Sequence, residues 1–296
     1  MLNTKIICFG EVLWDILPSG KKAGGAPMNV AYHLQNFGIS TSMISSVGKD
    51  NLGLELIAFL QQHSLPTDFI TQDDTLPTGT VHVQLDENGS PSYEIVSSVA
   101  WDNIPLDEAR QKAVKEADAL VFGSLACRSV GSRETLMSLA QLAPMRIFDL
   151  NLRSPFYSQE LIEKLLSVAN VVKMSDEELE IIGNWYLEDF DVTTVLQLVS
   201  KKFGIDTIVL TKGKEGAVCL NEDKMYHQSS FPIKVVDTIG SGDSFLAAFL
   251  KKMFNLDDIQ SCLEFACAMG GLVASSKGGT PKITEQDVYE FIEKCK

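Results

Sequence analysis

KIICFG at 5–10, APMNVAYHLQNFG at 26–38 and TSMISSVG at 41–48 decide the fold. The outer two are short apolar runs, the first ending in glycine. In the middle segment Val30, Ala31, Leu34 and Phe37 share one helical face, and Gly38 stands where a helix would stop. Leu52, Leu56, Phe59 and Leu60 mark the next helix. Further out, DALVFG (118–123), RIFDLN (146–151), NVVKMS (170–175) and DTIVLT (206–211) repeat the strand, with helix-length segments between them. Near-continuous apolar strands alternating with helices predict an α/β protein whose mostly parallel central sheet is covered on both faces. Ligands of such sheets bind beyond the carboxyl ends of the strands, so the polar residues closing each strand are the candidates for chemistry.

One region breaks this pattern. TVHVQLDENGSPSYEIVS (80–97) alternates with period two, and DENG at 86–89 supplies turn chemistry, so a β-hairpin without its own helix is expected. EVLWDILPSGKKAGG (11–25) is strand-like and then loop-like. Together, about 12–25 and 77–102 predict a small sheet beside the core, serving as a lid over a site or as an edge sheet packed on the core or on a second subunit of a homodimer. With no internal repeat, low-complexity tract or linker, residues 1–296 read as a single domain.

The chain has 39 Asp and Glu against 25 Lys and Arg, a formal net charge of −14, which makes it a poor partner for nucleic acid or anionic membranes. Any phosphate must be held by local backbone donors or a metal ion. Six cysteines are scattered without CxxC or zinc spacing and mostly in apolar runs, as expected for buried thiols in a reducing compartment. The apolar run after Lys5 is too short for a signal peptide. The apolar, uncharged stretch from Phe265 to Ser276 falls short of the roughly 20 residues of a membrane span. A cytoplasmic, soluble protein is expected.

VVDTIGSGDSFLAAFLKKMF at 235–254 carries the most chemical information. Gly240, Ser241 and Gly242 lie between an expected strand ending near Asp237 and a helix with Phe245, Leu246, Phe249, Leu250 and Met253 on its apolar face. Two glycines in three residues let backbone N–H groups turn inward at a helix N-terminus, an arrangement that favours an anion. A carboxylate there, Asp243, would repel a bound phosphate unless it accepts a proton from an attacking alcohol. Local physics leaves a second reading open, in which Asp243 only caps the helix. GGAPMNV at 24–30 is another glycine-rich helix entry, with Asn29 in its first turn. No GxxxxGK[ST], HExxH or GxSxG occurs, and no GxGxxG follows the first strand, which removes P-loop, dinucleotide-binding and the simplest protease and hydrolase readings.

With both glycine-rich segments in this order, the chain resembles the PfkB (ribokinase-like) family of carbohydrate kinases from residue 6 to about residue 285. GGAPMNVAYHL resembles the family's N-terminal signature and DTIGSGDSFLAAFL its C-terminal one. GEVLWDILP at 10–18 and FDLNLR at 148–153 are most similar to the fructokinase branch. The resemblance implies a three-layer α/β/α core with a β lid, transferring the γ-phosphoryl of ATP to a sugar hydroxyl with Mg²⁺. It implies Asp243 as base, with the amides of Ile239 to Gly242, Ser241 among them, as an anion hole. Asp15, Gly25 and Asn29 are implied as sugar ligands. Arg153 reads as a substrate or phosphate contact, with a structural ion pair as the alternative. TKGKEG at 211–216 is similar to the family's T-x-G-x-x-G turn, implying Thr211, Gly213 and Gly216 beside ATP. KMSDEEL at 173–179 is similar to its N-x-x-E stretch, implying Glu178 as a Mg²⁺ ligand through water, with Ser175 replacing the usual Asn. The alternative for Glu178 is a solvated first-turn glutamate. SSKGGTP at 275–281 is similar to a stretch that in many members binds K⁺ together with Asp237. Rival functions are kinase activity on 2-keto-3-deoxygluconate or ribose, and a non-catalytic sugar-binding protein on the same fold.

Overall fold

The computed structural model describes residues 4–18, 20–85 and 91–296. Nine strands form one sheet in the order β13 (Lys224–Gln228), β12 (Ala217–Asn221), β11 (Thr207–Thr211), β10 (Val171–Ser175), β9 (Arg146–Asp149), β8 (Ala119–Gly123), β1 (Lys5–Phe9), β4 (Ser40–Gly48) and β5 (Ile70–Asp73). Pairing from β11 to β5 is parallel, whereas β11–β12 and β12–β13 are antiparallel. Alternate residues feed two cores. Ile6, Cys8 and Val121 enter one, and Ile7, Phe9 and Phe122 enter the other.

The first core is covered by α1 (Ala26–Asn36), α2 (Asn51–Gln62), α8 (Ser241–Phe254), α9 (Ile259–Ala274) and α10 (Glu285–Cys295). On the other face lie α3 (Glu108–Lys115), α4 (Val130–Ala140), α5 (Gln159–Leu166), α6 (Asp176–Tyr186) and α7 (Val192–Phe203). This is the expected three-layer α/β/α arrangement. Cys8, Cys127, Cys219, Cys262 and Cys267 are buried without disulfides, and Cys295 is partly exposed.

A second sheet has the order β3 (Gly20–Gly24), β2 (Leu13–Leu17), β6 (Gly79–Leu85), β7 (Pro91–Ile95). The strands of the expected hairpin, β6 and β7, pair antiparallel. Residues 20–24, expected as loop, form strand β3 against β2, and the two pairs join through parallel β2–β6 pairing. The DENG turn expected at 86–89 lies outside the described residues.

One expected strand is absent. Residues 229–236 form no regular element and join no ladder among the described residues, and Val235 and Val236 are exposed. Their backbone serves another helix end instead: the amides of Val236 and Asp237 donate to Ala274 O at the end of α9, at 2.8 and 3.2 Å.

Candidate active site

The turn before α8 is built for close approach. Gly240 has φ 73°, and a Cβ there would lie 2.5 Å from Gly279 Cα, so only glycine fits. Ile239 N donates to Asp237 Oδ1 at 3.1 Å, and Ser241 N donates to Thr238 O at 3.2 Å. The amides of Gly240, Gly242 and Asp243 have no acceptor among the described residues. Of the four amides from Ile239 to Gly242 expected to form an anion hole, those of Ile239 and Ser241 already donate within the turn.

Asp243 sits in the first turn of α8. Its Oδ2 accepts a hydrogen bond from Asn29 Nδ2 at 2.7 Å, joining α8 to α1 across 214 residues of sequence. Among the described residues it accepts none from a backbone N–H, so it does not cap the helix. Burial pushes its carboxyl up, while Asn29, Lys173 and Arg153 pull it down. Asn29 Oδ1 is buried without a partner among the described residues. Gly25, just before α1, has φ 115°, and a Cβ there would lie 2.3 Å from Glu11 O.

Opposite this pair stands the small sheet. Asp15 on β2, Lys22 and Gly24 on β3, Asn29 on α1, Ile239 before α8 and Gly279 after α9 line a cavity between the small sheet and these segments. Burial raises Asp15 to about 6, opposed by Lys22 and Arg153 and reinforced by Asp243. Arg153 is exposed and has no ion-pair partner among the described residues. Its Nη1 donates only to Leu152 O, at 3.2 Å. The structural ion pair weighed for it is not formed there.

The remaining candidates lie at neighbouring strand ends. Thr211 closes β11 and donates through Oγ1 to Met174 O at 3.3 Å. Gly213 opens a short 3₁₀ turn, and Gly216 follows it against the Gln228 carbonyl. Glu178 is 8% exposed, not the solvated first-turn residue weighed as its alternative. Its Oε1 accepts from Leu152 N at 2.7 Å and its Oε2 from Ser175 N at 2.8 Å. Ser175 Oγ accepts in return from Glu178 N, completing a capping box. Asp237 Oδ2 accepts from Gly278 N at 3.0 Å and faces the Lys22 ammonium at 3.7 Å. No group of three or more His, Cys, Asp or Glu among the described residues could hold a metal. A Mg²⁺ ion here would have to be held mainly by water and substrate phosphates.

Three buried groups escaped the sequence reading. Lys173 Nζ donates to Asp149 Oδ1 at 3.0 Å, and it lies 3.1 Å from where a Cβ on Gly242 would be. Glu11 is fully shielded, with Oε2 unpartnered among the described residues, and burial raises it to about 7. His33 Nε2 donates to Gly279 O at 2.8 Å, the tautomer that a carbonyl partner requires, and burial lowers His33 to about 4. A charged or polar residue inside an apolar strand or helix run was the available signal for each.

An α/β/α core with a facing β sheet and a buried carboxylate at a glycine-lined helix N-terminus is the arrangement of a class of small-molecule phosphotransferases. The model of the pfkB family of carbohydrate kinases matches residues 4–286, and the chain belongs to that family. A putative sugar kinase of Pyrococcus horikoshii is 31% identical over 291 residues, covering 94% of this chain and 89% of that protein. Its structure in complex with ATP superposes with a TM-score of 0.83 at 27% identity, covering 98% of this chain and all of that one (100%). A fructokinase of Salmonella typhimurium is 27% identical over 305 residues, covering 96% of this chain and 98% of that protein. The fold itself is ribokinase-like: a Xylella fastidiosa fructokinase structure with bound ATP gives a TM-score of 0.88 at 23% identity, covering 99% of both chains. Among the described residues no helix is long and apolar enough to cross a membrane.

Proposed function

We propose that this carbohydrate kinase is an ATP-dependent fructokinase, with Asp243 as the base that takes the proton from the attacking sugar hydroxyl. The observation that carries the reading is the 2.7 Å bond between Asn29 Nδ2 and Asp243 Oδ2. It aims a buried carboxylate past a sugar-ligand position, beside the free amides of Gly240 and Gly242. Burial makes Asp243 a better proton acceptor than an exposed carboxylate, which suits general-base work. Asp15, Gly25, Asn29 and Arg153 would hold the sugar, and Asp15 and Asn29 offer the paired acceptors and donors that vicinal hydroxyls need. Thr211, Gly213 and Gly216 would line the ATP side. Mg²⁺, held by phosphate oxygens and by Glu178 through water, would neutralise charge on the phosphates. Asp237 would take K⁺ only where Lys22 withdraws, since the ammonium already faces its Oδ2.

A sugar acid such as 2-keto-3-deoxygluconate is the second reading. Arg153 favours it, because its guanidinium is exposed and without an acidic partner among the described residues. The test is ADP release from ATP and Mg²⁺ across fructose, ribose and 2-keto-3-deoxygluconate. Fructose should give the highest kcat/KM; a faster rate on either rival would overturn the fructokinase reading and leave the kinase. Asp243→Asn should lower kcat by about 10²–10⁴-fold while sugar affinity changes less. A folded Asp243→Asn protein with near wild-type turnover would remove Asp243 as the base.

A further inference from the structure

We propose that Lys173 is a second catalytic residue, whose ammonium binds an oxygen of the phosphoryl group during its transfer beside Gly242. The proposal rests on the kinase reading above and adds a group to it. Lys173 and Asp149 are register partners on the adjacent parallel strands β10 and β9. Val171 and Ile147, two residues before them, point into the core beneath α8, so the pair projects toward the α8 N-terminus. The pair is buried, at 7% and 3% exposure for Lys173 and Asp149.

Burying a lysine inside an apolar strand is costly unless its charge is used. An ammonium has three donors, and among the described residues Lys173 spends one, on Asp149 Oδ1 at 3.0 Å. The other two have no acceptor there. Gly242 leaves open the ground between them and the helix N-terminus: a Cβ on it would meet Nζ at 3.1 Å. Asp243 and Glu178 add their fields, which together with Asp149 keep Lys173 protonated. Three carboxylates around an anion-binding turn would repel a phosphate, and this ammonium is the buried charge that offsets them, with the exposed Arg153 adding to it.

In the transfer, the sugar oxygen forms a bond to phosphorus and gives its proton to Asp243. The bond from phosphorus to the bridging oxygen of ATP breaks, and its electron pair leaves with ADP. Lys173 would hold an oxygen of the phosphoryl group throughout, with no proton transferred. Electrostatic groups aimed at developing charge are worth about 10²–10³-fold in kcat.

Lys173→Met alone strands a buried Asp149 carboxylate, so the informative variant is Lys173→Met/Asp149→Asn, which neutralises both members of the pair. It is compared with the wild type for fructose-dependent ADP release, and for binding of fructose, of ADP and of ADP with aluminium fluoride. We expect a folded double variant with kcat reduced about 10²-fold or more. Binding of ADP–aluminium fluoride should weaken by a similar factor, with fructose and ADP affinities within about threefold. A double variant within about threefold of wild-type kcat would overturn the proposal, as would fructose and ADP affinities falling as far as kcat does. Wild-type protein inactive on every sugar would overturn the kinase reading first, and this one with it.

Discussion

Glu11 is a carboxyl cut off from water beneath Gly25, and burial lifts it to about 7. Its folded value lies above its ordinary one of 4.5, so the folded protein binds the extra proton across that window. The stability this supplies is full below about pH 4.5 and is lost as pH rises through 7. Glu11→Gln should therefore stabilise the protein at pH 8, by at most on the order of 3 kcal/mol, and do little at pH 4.5. Thermal unfolding at both pH values checks this. An equal shift at both would mean that Glu11 keeps its charge and that another force sets its effect. Asp15 is raised to only about 6, and Lys22 and Arg153 hold it down. The carboxylate facing the cavity thus stays ionised at neutral pH, while the one beneath it titrates.

Helix α1 works through two side chains one turn apart. Asn29 holds Asp243 on α8, and His33 holds the carbonyl of Gly279, which packs on Gly240. One face of α1 therefore fixes both the proposed base and the loop lying over the glycine turn before α8. His33→Leu would leave the Gly279 carbonyl unpartnered and should raise the KM for ATP roughly tenfold, with the KM for sugar little changed. His33→Gln retains a donor and should recover most of the loss; equal effects on both KM values would show a general loosening instead. The small sheet meets the core through Trp14 Nε1, which donates to Leu52 O at 3.0 Å, and through the ion pairs Lys21 to Glu55 and Lys22 to Asp237, the last at 3.7 Å. We expect saturating fructose to slow amide exchange in β2, β3 and β6. Unchanged exchange there would make the sheet a static wall rather than a lid.

At the scale of the molecule, what the sequence shows follows from how local each signal is. The parallel strands and the period-two strands at 80–97 are written in short local runs, and they fold as read, whereas 20–24, read as loop, becomes a strand only by pairing with β2. The stretch before Asp237 has strand composition, yet its amides bond the end of α9, a choice made by a distant helix. Lys173 meets Asp149 only through the register of two strands, and register is not visible along one chain. The family motifs located Asp243, Asn29 and Asp15, but not the bond between the first two, which needs α1 and α8 to cross. The same packing decides the fate of the sulfur atoms. Burial pushes the thiols of Cys127, Cys219 and Cys267 up to about 12, and that of Cys8 up as well. The thiolate is the reactive form, so these groups are silent twice over, being unreachable and protonated. A coloured disulfide reagent should label Cys295 promptly in the native enzyme and reach the other five only when the fold opens. Five slow steps sharing one rate would report a single cooperative opening, whereas early labelling of Cys262 or Cys267 would show α9 leaving the sheet first. The unpaired sulfurs thus make the chain its own clock, timing how often its interior meets the solvent.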